Sequence, residues 1–143
     1  MELSRLVYVS QAVVPMHEGA LEDILSAARD NNSRHKITGL LLFDGAHFMQ
    51  LLEGPTEAVE QTFSAIIKDK RHKGVVRIAS ETGVNRQFPG WSMGYAFTRD
   101  ENLPDSSGWF PLTNGSLQAA LPSKVDPSMR VLFTSFLTVN APA

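Results

Sequence analysis

Segments typical of β-strands alternate with segments of helical period along most of this chain. Two of the strand-like segments, residues 37–43 and 47–52, are joined by Asp44-Gly45-Ala46. An Asp-Gly pair between apolar segments is a strong signal for a β-hairpin, because both residue types accept the positive φ of a tight turn. The sequence therefore predicts an antiparallel pair of strands in this part of the chain.

Three more segments are typical of strands, and two have the period of an amphipathic helix. The strands are predicted over residues 6–9, 75–80 and 91–98, where β-branched and aromatic residues are concentrated. The first helix is predicted over residues 15–32, with an apolar face formed by Leu21, Ile24, Leu25 and Ala28. The second begins after Gly54-Pro55, with Thr56 as its N-cap and an apolar face formed by Val59, Phe63, Ile66 and Ile67.

The resulting order β-α-β-β-α-β-β predicts an α+β fold, a ferredoxin-like βαββαβ(β) sheet with two helices on one face. A groove can run between helices that share a face, and the other face of the sheet needs a different cover. Asp126-Pro127 is a typical helix start, and an apolar stripe of helical period follows it: Met129, Leu132, Phe133, Phe136 and Leu137. This C-terminal helix is the candidate for the cover.

The composition of the chain changes near Arg99. Five of the eight prolines lie in the last 45 residues, which carry few charged side chains. We therefore expect a compact module over residues 1–98 and a C-terminal segment of loop and short helices over residues 99–143, packed on the sheet or on a partner.

Composition and motif content exclude several classes of site. The 143 residues contain no cysteine, which excludes disulfide scaffolds, thiol nucleophiles and iron–sulfur clusters. The net charge of −2 provides no basic surface for nucleic acid. No apolar segment approaches the roughly 20 residues of a membrane span and no secretory pattern is present, so a cytoplasmic protein is expected. The four histidines lack the spacing of metal ligands, and no metal site is expected.

Tyr8 and Gln50 are polar residues within apolar strands. A buried amide without a partner costs about 1–3 kcal/mol, so the Gln50 side chain needs a hydrogen bond. The ferredoxin-like order places the first and third strands side by side, which makes these two residues cross-strand neighbours on the helix-facing side. The residues alone leave open whether Gln50 only bonds Tyr8 or also binds a ligand in the groove.

Two further groups border the predicted groove. Asn31 and Asn32 are expected at the C-terminal end of the first helix, either as a plain cap in left-handed geometry or as amide partners for the imide edge of a planar heterocycle. Residues 68–73 carry four cations and a histidine, which either bind phosphates through Arg71 or form a solvated loop at the end of the second helix. Four apolar residues fit core positions as well as a site: Ile24, Ile66, Trp91 and Met93.

Six segments together resemble the BLUF domain, a family of blue-light sensors that use FAD. In chain order they are Leu6-Val7-Tyr8-Val9-Ser10, Ala28-Arg29-Asp30-Asn31-Asn32, Ile37-Thr38-Gly39-Leu40-Leu41-Leu42-Phe43, Phe48-Met49-Gln50-Leu51-Leu52-Glu53-Gly54-Pro55, Lys68-Asp69-Lys70-Arg71-His72 and Trp91-Ser92-Met93-Gly94. Each segment alone is weakly specific. Their order and spacing over about the first 98 residues carry the resemblance.

The resemblance implies a role for each of these positions. FAD would be bound non-covalently, with its ring between Ile24 and Ile66 and its polar edges at Asn31, Asn32 and Gln50. The ribityl and phosphate end would lie near Lys68, Asp69, Arg71 and His72. Tyr8 and Gln50 match the photoactive pair, and Trp91, Met93 and Ser10 match the relay that carries the change outward.

By the same resemblance, the protein is a photoreceptor and not an enzyme. Tyr8 would donate an electron and a proton to the excited flavin, and Gln50 would end in a different hydrogen-bonding state. Since 45 residues are too few for a separate effector, the signal is expected to pass to a partner protein. A homo-oligomer is also expected, with no direct contact to nucleic acid or to a membrane.

The sequence departs from the family pattern at two positions. Lys36 stands where a glycine usually precedes the Ile-Thr-Gly segment, which puts the geometry of that turn in question. Ala28 replaces a serine of some relatives. Two other functions remain open from the residues: a small ferredoxin-like phosphoryl hydrolase using Arg71 and Asn32, and a dark ligand-binding module in which Gln50 only bonds Tyr8.

Overall fold

A computed structural model describes residues 2–13, 18–43, 46–86, 94–97, 109–111 and 127–140. In chain order the elements are β1 (Leu3–Ala12), α1 (Glu18–His35), β2 (Thr38–Phe43), β3 (His47–Pro55), α2 (Thr56–Ile67), β4 (His72–Thr82), β5 (Gly94–Phe97), β6 (Trp109–Pro111) and α3 (Pro127–Asn140). The strands form one sheet in the order β4-β1-β3-β2-β5-β6. The first four strands pair antiparallel, whereas β5 is parallel to both β2 and β6.

The predicted ferredoxin-like arrangement is confirmed, with β1 and β3 side by side at its centre. The predicted hairpin is present, since β2 and β3 pair antiparallel up to Phe43 opposite Phe48. Gly39 allows these two strands to approach closely, because a Cβ at this position would lie 1.9 Å from the backbone oxygen of Leu51. The short strand β6 was not predicted, because three residues are too few to show a strand period.

Each face of the sheet carries its own apolar core. On the face covered by α1 and α2, the buried residues are Leu6, Tyr8, Leu25, Ile37, Leu41, Phe43, Phe48, Leu52, Val59 and Phe63. On the other face, Val7, Leu40, Leu42, Met49 and Leu51 pack against Met129, Phe133 and Phe136 of α3. The C-terminal helix therefore covers the second face, as its apolar stripe predicted. None of the helices in the described ranges is long and apolar enough to cross a membrane.

The ends of both central helices differ from the prediction. Helix α1 continues to His35, so Asn31 and Asn32 lie within its last turns, and the left-handed residue is Lys36, with φ of 59°. The N-cap of α2 is Pro55, without a side-chain hydrogen bond, and the predicted cap Thr56 instead bonds the Ser4 hydroxyl at 2.6 Å. The cap prediction was wrong because a partner distant in sequence, on β1, is available to the Thr56 hydroxyl.

Two further expectations about residues 66–73 are corrected. Ile67 is 53% exposed, so it lies outside the buried face of α2 formed by Val59 and Phe63. Strand β4 begins at His72 rather than at residue 75, which places His72 and Lys73 in the sheet and not in a solvated loop.

Candidate functional site

Tyr8 and Gln50 are direct cross-strand partners on β1 and β3. The Tyr8 hydroxyl donates a hydrogen bond of 2.5 Å to Gln50 Oε1, and both side chains are buried. The Phe63 ring from α2 packs against the Tyr8 ring with 5.6 Å between centroids. The predicted neighbour relation on the helix-facing side is therefore confirmed, because Gln50 finds its bond across the two central strands.

A cavity of about 350 Å³ lies between α1, α2 and this face of the sheet. Its walls are formed by Tyr8, Ile24, Ala27, Ala28, Asn31, Asn32, His35, Leu41, Phe48, Gln50, Ala58, Gln61, Thr62, Ala65, Ile66, Asp69, Arg71 and His72. Alanine and isoleucine side chains of the two helices form much of the apolar wall, while side-chain amides and the charged residues Asp69 and Arg71 supply the polar groups. Such a cavity suits a ligand with a flat apolar body and polar edges.

Most of the predicted site residues line this one cavity. These are Tyr8, Ile24, Asn31, Asn32, Gln50, Ile66, Asp69, Arg71 and His72. Lys68 is exposed and is not among the lining residues. Ser10 is not among the lining residues, but its hydroxyl lies 2.9 Å from Nδ1 of the lining residue His72. Trp91 and Met93 lie outside the described residues.

The two asparagines connect α1 to α2 at one end of the cavity. Asn31 Nδ2 donates to Thr62 Oγ1 at 3.3 Å and to Asn32 Oδ1 at 3.5 Å. Asn32 is only 1% exposed, and because α1 continues to His35 this residue is not the plain C-cap that was the alternative interpretation. Thr62 was not singled out from the sequence, although it stands four residues before Ile66 and so shares its helix face.

Arg71 and Asp69 form a forked ion pair at the other end of the cavity. The Arg71 Nη2–Asp69 Oδ2 distance is 2.5 Å, and Arg71 Nε and the Arg71 backbone N–H also donate to this carboxylate. The hydrogen bond from the guanidinium lowers the pKa of the Asp69 carboxyl, and the same contact raises the pKa of Arg71. This geometry holds the guanidinium at the end of the cavity where the resemblance to the family implies the ribityl and phosphate part of FAD.

The Tyr8 phenol is protonated at neutral pH, and its surroundings strengthen this preference. Burial raises the pKa of Tyr8 above its ordinary value of 10.0, and the negative charge of Asp69 acts in the same direction. Tyr8 is therefore a hydrogen-bond donor to Gln50 throughout the physiological pH range. In the parts of the chain that the structure describes, no three potential metal-ligating side chains come together.

The fold and the cavity define a small α+β ligand-binding domain with a buried Tyr–Gln hydrogen bond at its centre. Residues 3–94 match the BLUF family, described as sensors of blue light using FAD. The chain belongs to this family. The family description, sensors of blue light using FAD, agrees with the class of function that the sequence predicted, whereas these comparisons give no support to the hydrolase or to the dark ligand-binding module.

Similar proteins include chains much longer than the matched part and one solved chain that is matched over almost its whole length. The blue light- and temperature-regulated antirepressor BluF of Escherichia coli (strain K12) is 37% identical over 86 residues, which are 60% of this chain and 21% of that protein. The photoactivated adenylate cyclase subunit beta of Euglena longa is 36% identical over 92 residues, which are 64% of this chain and 11% of that protein. The structure of BlrB, a BLUF protein in its dark state, matches with a TM-score of 0.69 at 28% identity, over 96% of this chain and 97% of that chain.

The residues around the cavity fit FAD. The apolar residues Ile24 and Ile66 come from two helices that flank the space, as the two faces of a flat ring require. Side-chain amides at Asn31, Asn32 and Gln50 supply both donors and acceptors, the set that the polar edge of the flavin ring needs.

Proposed function

We propose that FAD binds non-covalently in the cavity between α1 and α2, and that the Tyr8–Gln50 hydrogen bond is the light-sensitive switch. The observation that carries this proposal is the buried Tyr8–Gln50 bond within the wall of the largely apolar cavity. When bound, FAD supplies the absorption of blue light and a ring that can accept an electron. The protein supplies the orientation and the proton-holding group.

Each side chain around the cavity has a defined task in this proposal. Ile24 and Ile66 hold the ring from α1 and α2, and Asn31 and Asn32 bind its polar edge. His72, Asp69 and Arg71 lie near the ribityl part of the bound FAD. Lys68, which does not line the cavity, is proposed to contribute only through its charge at the phosphate end.

The switch needs a donor that keeps its proton until light arrives. A phenol is neutral at physiological pH, and burial raises the pKa of Tyr8 further, so this side chain holds its proton. Gln50 can then exchange one hydrogen-bond partner for another, since a carboxamide offers both a donor and an acceptor. Each such bond contributes about 1 kcal/mol net, so the two states of the amide differ little in free energy. Small differences of this size allow a reversible two-state switch.

The output is proposed to be a contact with a partner protein. One relative is named as an antirepressor and another as an adenylate cyclase subunit, and this chain matches only 21% and 11% of their lengths. The shared part is thus the sensor, while the named activities differ. We propose that Trp91, Met93 and Ser10 relay the change, and that the chain acts as a homo-oligomer.

The test is an absorption spectrum of the FAD-loaded protein before and after blue light. The wild-type protein is expected to show a reversible red shift of the flavin band. Tyr8→Phe and Gln50→Leu are expected to retain bound flavin and lose the normal shift, because each removes one partner of the Tyr8–Gln50 bond. Gln11→Leu is the matched control, since this exposed glutamine on β1 lies outside the cavity wall.

Two results would contradict the proposal. One is a folded wild-type protein that takes up no FAD. The other is a red shift of normal size in both Tyr8→Phe and Gln50→Leu.

A further inference from the structure

His72, the first residue of β4, is held by hydrogen bonds at both ring nitrogens. Its Nε2 lies 2.6 Å from the backbone oxygen of Ile66, and its Nδ1 lies 2.9 Å from Ser10 Oγ. A carbonyl oxygen only accepts, so Nε2 carries the hydrogen, and in the neutral ring Nδ1 accepts the hydroxyl hydrogen of Ser10. The imidazole therefore connects the C-terminal end of α2 to β1.

The same imidazole packs against Tyr8 of the proposed switch and against Phe48. Its ring meets the Tyr8 ring and the Phe48 ring edge-on, with 6.2 Å between centroids in each case. Phe48 is the cross-strand partner of Ser10, just as Gln50 is the partner of Tyr8. If Tyr8 moves, it therefore pushes against the His72 ring, whose two nitrogens are both held by hydrogen bonds.

Ser10 also lines a second cavity, of about 440 Å³, on the side of the sheet covered by α3. Leu132, Ser135 and Phe136 of α3 form part of its wall, together with Val9 and Met49 of the sheet. The pairing of β1 with β4 shifts register between Val9 and Gln11, opposite Gly74 with its φ of 63°. This irregularity lies at Ser10, the residue that contacts His72 on one side and the second cavity on the other.

We propose that Ser10 and His72 are positioning residues that couple the Tyr8–Gln50 switch to α3 on the opposite face of the sheet. The inference rests on the proposed function, because it needs a light-driven change at Tyr8. The imidazole is fixed between Ile66 and Ser10, so a displacement by Tyr8 lengthens one of these two bonds or moves Ser10. Movement of Ser10 alters the wall that it shares with Leu132 and Phe136, and so changes the packing of α3.

The experiment compares hydrogen exchange of the α3 amides in the dark and under continuous blue light, using the full chain loaded with FAD. In the wild-type protein, exchange in α3 is expected to change by about fivefold on illumination, the lower end of typical couplings between sites. Ser10→Ala is expected to retain the flavin red shift and to lose the light-dependent change in α3.

Ser4→Ala is the matched control. Ser4 is also a buried serine of β1 with a hydroxyl bonded to α2, through Thr56, and it lies at the other end of the strand. This variant is expected to retain both the red shift and the change in α3. Should Ser10→Ala fail to fold, Ser10→Cys keeps the side-chain size, weakens the hydrogen bond and gives the same readout.

The outcomes separate this inference from the function on which it rests. Absence of a red shift in the wild-type protein overturns both. A wild-type red shift without a light-dependent change in α3 overturns the coupling alone, as does a change of wild-type size in Ser10→Ala. Loss of the red shift itself in Ser10→Ala, with Ser4→Ala normal, also overturns it, since Ser10 would then belong to the switch.

Discussion

Among the single side chains, Tyr8 combines the properties on which the site depends. It is 4% exposed, donates to Gln50 and contacts both Phe63 and His72 through its ring. Burial raises its pKa and also fixes its orientation, so the phenol donates to Gln50 from a rigid position.

The raised pKa of Tyr8 predicts a loss of stability at alkaline pH. The phenol of the unfolded chain ionises near pH 10, whereas the folded protein holds the proton to higher pH, so the free energy of unfolding falls as the pH rises above 10. At about pH 11 this contribution amounts to about 1.4 kcal/mol. Urea unfolding at about pH 8 and about pH 11 measures how far the free energy of unfolding falls between the two pH values. This fall should be smaller in Tyr8→Phe than in the wild type by the same amount. Equal falls in both proteins would contradict the assignment.

At the scale of elements, the end of α1 shows how the fold accommodates an unusual residue. Helix α1 ends at His35, and the residue after it, Lys36, has left-handed geometry. The Ile37 N–H then donates to the Asn32 carbonyl at 2.8 Å, which is the hydrogen bond typical of this kind of helix end. Arg86 Nη2 donates to the Lys36 carbonyl at 2.6 Å and stabilises this turn. The turn after α1 therefore forms although Lys36 replaces the usual glycine, because Lys36 adopts a positive φ. Asn32 remains in the cavity wall.

Replacement of Lys36 by glycine is expected to stabilise the protein. A left-handed φ costs a residue with a Cβ about 1–2 kcal/mol, and the greater freedom of glycine in the unfolded chain offsets part of the gain. We expect Lys36→Gly to raise the free energy of unfolding by about 0.5–1 kcal/mol, measured by urea unfolding. Lys36→Ala keeps the Cβ and is expected to stay within about 0.5 kcal/mol of the wild type. An equal gain in both variants would show that the side chain, and not φ, is responsible.

At the scale of the whole molecule, the described parts of the chain form a sheet between two different layers. One layer, α1 and α2, leaves a cavity for a ligand, and the other, α3, closes the opposite core. The proposed switch lies on the central strands and so within reach of both layers. This arrangement allows a local change in one hydrogen bond to affect the surface on the far side.

The contribution of α3 to stability can be measured at Phe133. This side chain is fully buried against the second face, so Phe133→Ala is expected to lower the free energy of unfolding by about 3–5 kcal/mol. Val131 on the same helix is 62% exposed, and Val131→Ala is expected to change it by less than about 0.5 kcal/mol. Chemical unfolding of both variants gives the comparison. Similar small effects in the two variants would mean that α3 does not stabilise the sheet.

The order of the elements from β1 to β5, the hairpin, the Tyr8–Gln50 pair and the cover over the second face could be predicted from the sequence alone, whereas β6 could not. Each of these features depends on the period of apolar residues or on a polar residue within an apolar segment, and such patterns can be recognised in the sequence itself. The assignment of roles to Asn31, Arg71 and their neighbours came from the resemblance to the family.

Tertiary structure decided the contacts that depend on register and on helix ends. The Ser10–His72 bond requires the irregular pairing of β1 with β4, and the Thr56–Ser4 bond requires two segments about 50 residues apart to meet. The Arg71–Asp69 pair became visible only in three dimensions. A sequence pattern indicates which face of a strand or helix a residue occupies. The hydrogen-bond partner of that residue depends on distances between side chains, and these are set only when both helical layers pack on the sheet.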